Sequence, residues 1–235
     1  GTEICIINRL LPEDEIPNVR SIGDILERLP ESPTLAAEDI AAAKKENNES
    51  LEDIFDLNRN FVKRTAIRII QFFLRFIVLI AFRSRLKDVK KIPRNRAVLI
   101  CPNHQSLIDP ILVYALLPGE MLEKTLFTGF GEYFSKAPLS WIVHPMRIIL
   151  TGTGRTSAES IRLATEGLNQ GYSVCIFPEG ERTSTGTIMK PRIGAGLLSV
   201  ETDTPIIPIY IDGATKTLSP INPGLSFSKV GVTVM

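Results

Sequence analysis

From Ala97 to Met235 the chain alternates short apolar runs with longer segments of helical periodicity, and few architectures accept that order. The apolar runs are Val98–Cys101, Thr125–Thr128, Arg147–Leu150, Ser173–Phe177, Ile206–Ile211 and Val230–Val234. Pro110–Leu117, Tyr133–Ile142, Ser157–Gln170 and Gly194–Glu201 separate them as helices. The succession predicts an α/β domain with a mixed, mostly parallel sheet flanked by helices. The helix at Ser157 is well marked. Thr156 and Glu159 have capping-box spacing, Ile161, Thr165 and Leu168 supply the periodicity, and Gly171 stops it. Pro208, inside the run Pro205–Ile209, predicts an edge, a bulge or a strand end, because proline has no N–H for a ladder.

Upstream lies a long helix, roughly Leu57 to Arg85. Arg64, Arg68, Gln71 and Arg75 form a narrow polar stripe on an otherwise apolar cylinder. Its longest uncharged runs, Ile69–Leu74 and Phe76–Phe82, fall far short of the ~20 residues that span a bilayer. Basic residues flank both ends, so an amphipathic helix lying in the membrane interface is expected. The alternative is a helix packed on its own domain. Residues 31–58 read as a polar, partly helical linker. Residues 1–30 pair a short apolar run, Ile4–Ile7, with an amphipathic stretch, Ser21–Leu29, and either resemble the second half of an acyl carrier domain without its attachment site or form a generic helical linker. The main domain is then 59–235. The first residue is not Met and the last lies in an apparent strand, so the chain reads as a piece of a longer protein.

The net charge of +1 hides an uneven distribution, acidic from Glu3 to Asp56 and basic from Arg59 to Arg96. The basic stretch is interleaved with a greasy helix rather than isolated aromatics, which argues against nucleic-acid binding. Cys5, Cys101 and Cys175 sit in apolar runs without metal-ligand spacing and read as buried thiols of a reducing compartment.

Asn103-His104-Gln105-Ser106-Leu107-Ile108-Asp109-Pro110 directly follows the first strand. On a regular helix, His104 and Asp109 would stand about 140° apart. Pro110 changes this, since it disfavours helix for Asp109 and suits the first helical position. Asp109 is then expected at a helix N-cap, with the loop folding His104 back towards it. A carboxylate on one imidazole nitrogen fixes the tautomer and stabilises the imidazolium formed when the other nitrogen takes a proton. The alternative is a plain cap and a loop histidine. Nothing marks Ser106 as an activated nucleophile.

Phe177-Pro178-Glu179-Gly180-Glu181-Arg182-Thr183 follows another strand, with a turn at Gly180 and a forked phosphate donor in Arg182. Thr151-Gly152-Thr153-Gly154-Arg155 runs into the capped helix and makes a candidate anion site. Lys190 and Arg192 add positive charge. One base, several phosphate-holding cations and a greasy helix suggest attack by a base-activated hydroxyl of a phosphorylated lipid.

These blocks resemble those of the 1-acylglycerol-3-phosphate acyltransferase family of glycerolipid acyltransferases. Asn103–Asp109 is similar to its His-x4-Asp motif, Phe177–Thr183 to its Phe-Pro-Glu-Gly-x-Arg-Ser block, Lys190–Gly194 to its basic-glycine segment, and Pro205–Ile209 to its last block. The resemblance covers roughly residues 60–235 and implies a phospholipid-synthesising O-acyltransferase. By that likeness His104 deprotonates the acceptor hydroxyl, Asp109 orients it, and Glu179, Gly180 and Arg182 hold glycerol phosphate, with Arg155, Lys190 and Arg192 as further contacts. The acyl donor is a thioester of CoA or of acyl-carrier protein, and neither metal nor cofactor is expected. The site implied is the cytoplasmic face of a membrane. The segment ending in Arg155 lacks the family's usual acid, and Glu181 stands where threonine is commoner. Glu181 and Gly131–Ser135 resemble forms fused to acyl-activating and carrier domains. Another lysophospholipid as acceptor, thioester hydrolysis, and a non-catalytic lipid- or carrier-binding module are the competing readings.

Overall fold

The computed structural model describes residues 50–57, 60–130, 146–151 and 157–235. The carrier-like segment 1–30, most of the linker, the helix expected over Tyr133–Ile142 and the cap at Thr156 lie outside these residues.

In chain order the described elements are α1 (Leu51–Ile54), α2 (Phe61–Ala81), β1 (Leu86–Lys87), β2 (Leu99–Pro102), α3 (Asp109–Leu116), α4 (Gly119–Leu122), β3 (Thr125–Phe130), β4 (Ile148–Thr151), α5 (Ser157–Asn169), β5 (Ser173–Cys175), α6 (Gly194–Thr202), β6 (Ile206–Asp212) and β7 (Gly231–Val234). The strands form one seven-stranded sheet in the order β1-β7-β6-β2-β5-β3-β4. Only β6 and β7 pair antiparallel; every other neighbouring pair is parallel. The mixed, mostly parallel sheet expected from the alternation is therefore what forms.

Period-two alternation sends successive strand residues to opposite faces. Ile100, Phe127, Ile148 and Cys175 pack on one side with Leu112 to Leu116 of α3, with Leu117 just after it, and with Val78 and Phe82 at the end of α2. Leu99, Cys101, Leu126, Ile149 and Val174 pack on the other with α5, α6 and Leu51 of α1. The central strands are covered on both faces, which is why they read as continuous apolar runs. Cys101 and Cys175 occupy opposite cores, and burial pushes the Cys101 thiol up to about 12. Both are inert packing groups.

The stretch read as the end of a linker joins the body. Leu51 is fully buried and its N–H donates to Glu166. Arg147, read as an ordinary strand residue, has a left-handed backbone (φ 48°) and a buried guanidinium. It donates to the carbonyls of Glu123, Asp56 and Leu57 and lies over the Tyr172 ring, 5.6 Å from its centroid. Burial lowers its pKa, and the three carbonyls hold its charge.

Pro208 lies in an interior strand, which corrects the edge or bulge expected for it. Its carbonyl accepts from Met235, and regular pairing of β6 with β7 stops at Ile209↔Val234. The missing N–H thus faces the place where the neighbouring ladder ends.

Helix α2 is shorter than the 57–85 expected. Asn60 caps it by accepting from the Lys63 N–H, and the chain leaves it after Phe82. Three residues of its polar stripe turn inward, towards the domain, while Arg75 is exposed. Arg64 and Arg68 both pair with Glu123, and Gln71 donates to the carbonyls of Tyr114 and Leu117 at the end of α3. Burial pulls the Glu123 pKa up, but the hydrogen bonds and charges of the two arginines hold it below the usual carboxylate value. The attachment is thus present above the ordinary value and is lost as pH falls through the depressed one. The opposite face of α2 is apolar and open. Ile69, Phe72, Phe73, Phe76, Ile77 and Ile80 are each more than half exposed. No described helix is long and apolar enough to cross a membrane.

Candidate active site

Strand β2 lies between β6 and β5 and runs parallel to both. The loops that leave these three strands therefore emerge together at one edge of the sheet, where open α/β folds place their ligands. These loops carry residues 103–108, 176–193 and 213–230.

The first loop brings His104 and Asp109 together. Nδ1 of His104 lies 2.9 Å from Oδ2 of Asp109, and the same oxygen accepts the N–H groups of Gln105 at 2.6 Å and Ser106 at 2.7 Å. Asp109 is not the N-cap expected. It is the first residue of α3, Ile108 holds the cap position, and the carboxylate reaches back into the loop rather than forward to the helix. With Nδ1–H donating to the carboxylate, Nε2 is left with the free lone pair. The imidazole is also stacked on the Phe177 ring, centroids 4.1 Å apart and 28° between planes.

The neighbours of His104 are tethers. Asn103 bonds both the N–H and the C=O of Ile211 through its side chain. Gln105 accepts from Ala214, and the Ser106 hydroxyl donates to Thr217 and accepts from Ile108. Ser106 is fully buried and no base approaches it, so it is not a nucleophile. Every backbone N–H from Asn103 to Asp109 has an acceptor inside the protein. The loop holds a base, and it has no amide left to stabilise an oxyanion.

The second loop packs against the first. Oε1 of Glu179 accepts the His104 N–H at 2.8 Å, and Oε2 accepts the Met189 N–H at 2.9 Å. The Thr183 N–H donates to the His104 carbonyl at 2.9 Å. Gly180 has φ +75°, and a Cβ there would lie 2.6 Å from Nε of Arg192, whose guanidinium covers the turn. Arg192 and Glu181 are both exposed, 3.5 Å apart. Arg182 is half-buried, with Nη1 3.5 Å from the Leu218 carbonyl. Lys190 is exposed close by in the chain. Arg155 lies outside the described residues.

The structure thus brings His104 and Asp109 together, and Gly180 with Arg192, as their spacing in the sequence suggested. Sequence reasoning missed Asn103, Gln105 and Phe177, although polar residues flanking a histidine at a strand end were a usable signal. A separate cavity of about 210 Å³, lined by Leu57, Arg64, Ile67, Glu123, Lys124, Arg147 and Tyr172, lies at the opposite ends of β3, β4 and β5 and holds none of these groups.

An imidazole oriented by a carboxylate beside a cationic turn, on the loops of a mostly parallel sheet, is able to take a proton from a bound hydroxyl. Residues 83–212, just over half of the chain, match the Acyltransferase family model, and the chain belongs to that family. It is 26% identical over 145 residues to human 1-acyl-sn-glycerol-3-phosphate acyltransferase beta, covering 60% of this chain and 51% of that one. It is 26% identical over 158 residues to a probable 1-acyl-sn-glycerol-3-phosphate acyltransferase of Mycoplasma pneumoniae, covering 60% and 54%. It is 30% identical over 125 residues to the 1-acyl-sn-glycerol-3-phosphate acyltransferase of Cocos nucifera, covering 51% and 38%. The chain thus spans about half the length of the curated relatives it matches, or less. The crystal structure of the 1-acyl-sn-glycerophosphate acyltransferase PlsC of Thermotoga maritima shares the fold, with a TM-score of 0.57 at 17% identity over 86% of this chain and 77% of that one.

Proposed function

We propose that this domain transfers an acyl chain from a thioester to the free hydroxyl of 1-acylglycerol 3-phosphate at a membrane surface. The observation that carries this is the His104–Asp109 contact at 2.9 Å, which engages Nδ1 and leaves the Nε2 lone pair to take a proton. Nε2 takes the hydroxyl proton as the oxygen attacks the thioester carbonyl. The tetrahedral intermediate then expels the thiolate, which takes the proton back from the imidazolium, giving ester and thiol. Asp109 stabilises the imidazolium in between. The thioester is already activated, so positioning supplies most of the acceleration.

Arg192, Lys190 and Arg182 around the Gly180 turn are the phosphate-holding groups, with Arg155 as a further one. A charge-assisted hydrogen bond contributes about 1.5–3 kcal/mol, and a Cβ at Gly180 displaces the Arg192 guanidinium. Gly180→Ala is therefore expected to raise KM for the acceptor about tenfold or more, measured by steady-state kinetics, with less effect on KM for the donor.

The open face of α2 is the membrane contact, with exposed Arg75, Arg83, Arg85 and Lys87 beside it for anionic headgroups. Each buried phenylalanine contributes roughly 1.5–3 kcal/mol. Replacing Phe72 and Phe76 by serine is expected to weaken binding to phosphatidylcholine–phosphatidylglycerol vesicles about a hundredfold or more, read by co-sedimentation. Unchanged circular dichroism is expected, because neither ring packs in the core. The cytoplasmic side, where both candidate donors occur, is the location that fits.

The test is to incubate membranes containing the protein with lysophosphatidic acid and a labelled acyl thioester, supplied on CoA in one arm and on carrier protein in the other. Label in phosphatidic acid supports the proposal. Free fatty acid alone means hydrolysis, and transfer only to another lysophospholipid means a different head group.

A further inference from the structure

We propose that Glu179 is a positioning residue that holds His104 in place and does not contact the substrate. The carboxylate is 4% exposed, and each oxygen already takes a backbone N–H, from His104 at 2.8 Å and from Met189 at 2.9 Å. A negative group turned inward beside two backbone donors is poorly suited to a phosphate, which it repels. It is well suited to joining two loops.

His104 has no regular ladder to sit in, since β2 ends at Pro102. The second loop acts as its mould, and three residues grip it. Glu179 takes its N–H, Thr183 donates to its C=O, and Phe177 lies flat on its ring. Together with Asp109 on Nδ1, these contacts set the backbone, the plane and the rotation of the imidazole. Glu179 also reaches Met189, next to Lys190, and the Arg192 N–H donates to Pro178 at 2.8 Å. The cationic segment and the base are thereby fixed to the same carboxylate. A carboxylate suits this position because it accepts at both ends. Glutamine keeps one acceptor and turns its NH2 towards an N–H donor, while alanine keeps neither.

A displacement of about 1 Å at a reacting group can lower a rate about a hundredfold. Glu179→Ala is expected to lower kcat about that far and Glu179→Gln about tenfold, with KM for lysophosphatidic acid rising by a smaller factor, since the Met189 N–H beside Lys190 is held by the same carboxylate. A second measurement needs no substrate. The chain has two histidines, His104 and His144, so ¹⁵N imidazole spectra resolve two rings, assigned with His104→Ala. The His104 ring signals are expected to move in both Glu179 variants without ligand. An acceptor KM that rises with kcat unchanged, or His104 signals that do not move in substrate-free protein, overturns the proposal. If Glu179→Ala fails to fold, Glu179→Gln decides. The inference rests on His104 being the base, and activity surviving in His104→Ala would remove that reading, whereas the ring signals judge positioning on their own.

Discussion

His104→Ala is expected to lower acyl transfer about a thousandfold, within the range a general base contributes, and to leave the fold in place. The side chain is 16% exposed, bonds to Asp109 and stacks on Phe177. The backbone of residue 104 is held by Glu179 and Thr183 whatever the side chain is. Asp109 keeps two of its three donors, the amides of Gln105 and Ser106. The melting temperature should therefore shift by a few degrees at most, while phosphatidic acid formation from labelled thioester nearly disappears. Transfer at the unmutated rate would sink the base assignment.

Asp109 carries the second large effect, and its two variants separate stability from chemistry. Alanine strips the acceptor from two buried backbone amides as well as from the imidazole. At about 1–3 kcal/mol for each unsatisfied buried group, Asp109→Ala is expected to lose roughly 2–6 kcal/mol, seen as a shifted urea midpoint. Asparagine retains an oxygen for the same donors and can place its NH2 where Oδ1 now stands without a partner among the described residues. Asp109→Asn is therefore expected to stay folded. It is also expected to lose about two to four orders of magnitude in kcat, because nothing then offsets the charge on the imidazolium. An Asp109→Asn protein with near-normal kcat would leave the carboxylate only a structural role.

The contact between His104 and Asp109 was legible because two chemically distinctive residues sit a short distance apart at a strand end, with a proline that constrains the second. The sheet was legible because strands covered on both faces are apolar at every position, as in Val98–Cys101. The direction of α2 was not. A helix with one polar stripe can present it to water or to its own domain, and only Glu123 and the carbonyls of Tyr114 and Leu117, distant in sequence, decide between them. Glu179 shows the same limit. Its residue type and motif suggest a ligand for substrate, whereas its oxygens are taken by amides 75 residues upstream and 10 downstream. Arg147 looked like strand because its left-handed backbone and carbonyl partners are tertiary facts that local pattern does not encode.

The loop from Asn103 to Asp109, with every amide occupied, has a thermodynamic consequence. Ordering a flexible segment costs roughly 1–2 kcal/mol of conformational entropy per residue. Here that cost falls when the chain folds, drawn from the stability of the whole domain, and is not met again at each turnover. In the proposed reaction, substrate binding energy is left free to hold and orient the acceptor and the acyl donor. A mutation that loosens the loop would move the ordering penalty from the folding equilibrium to the reaction barrier, and a well-folded protein would become a slow enzyme.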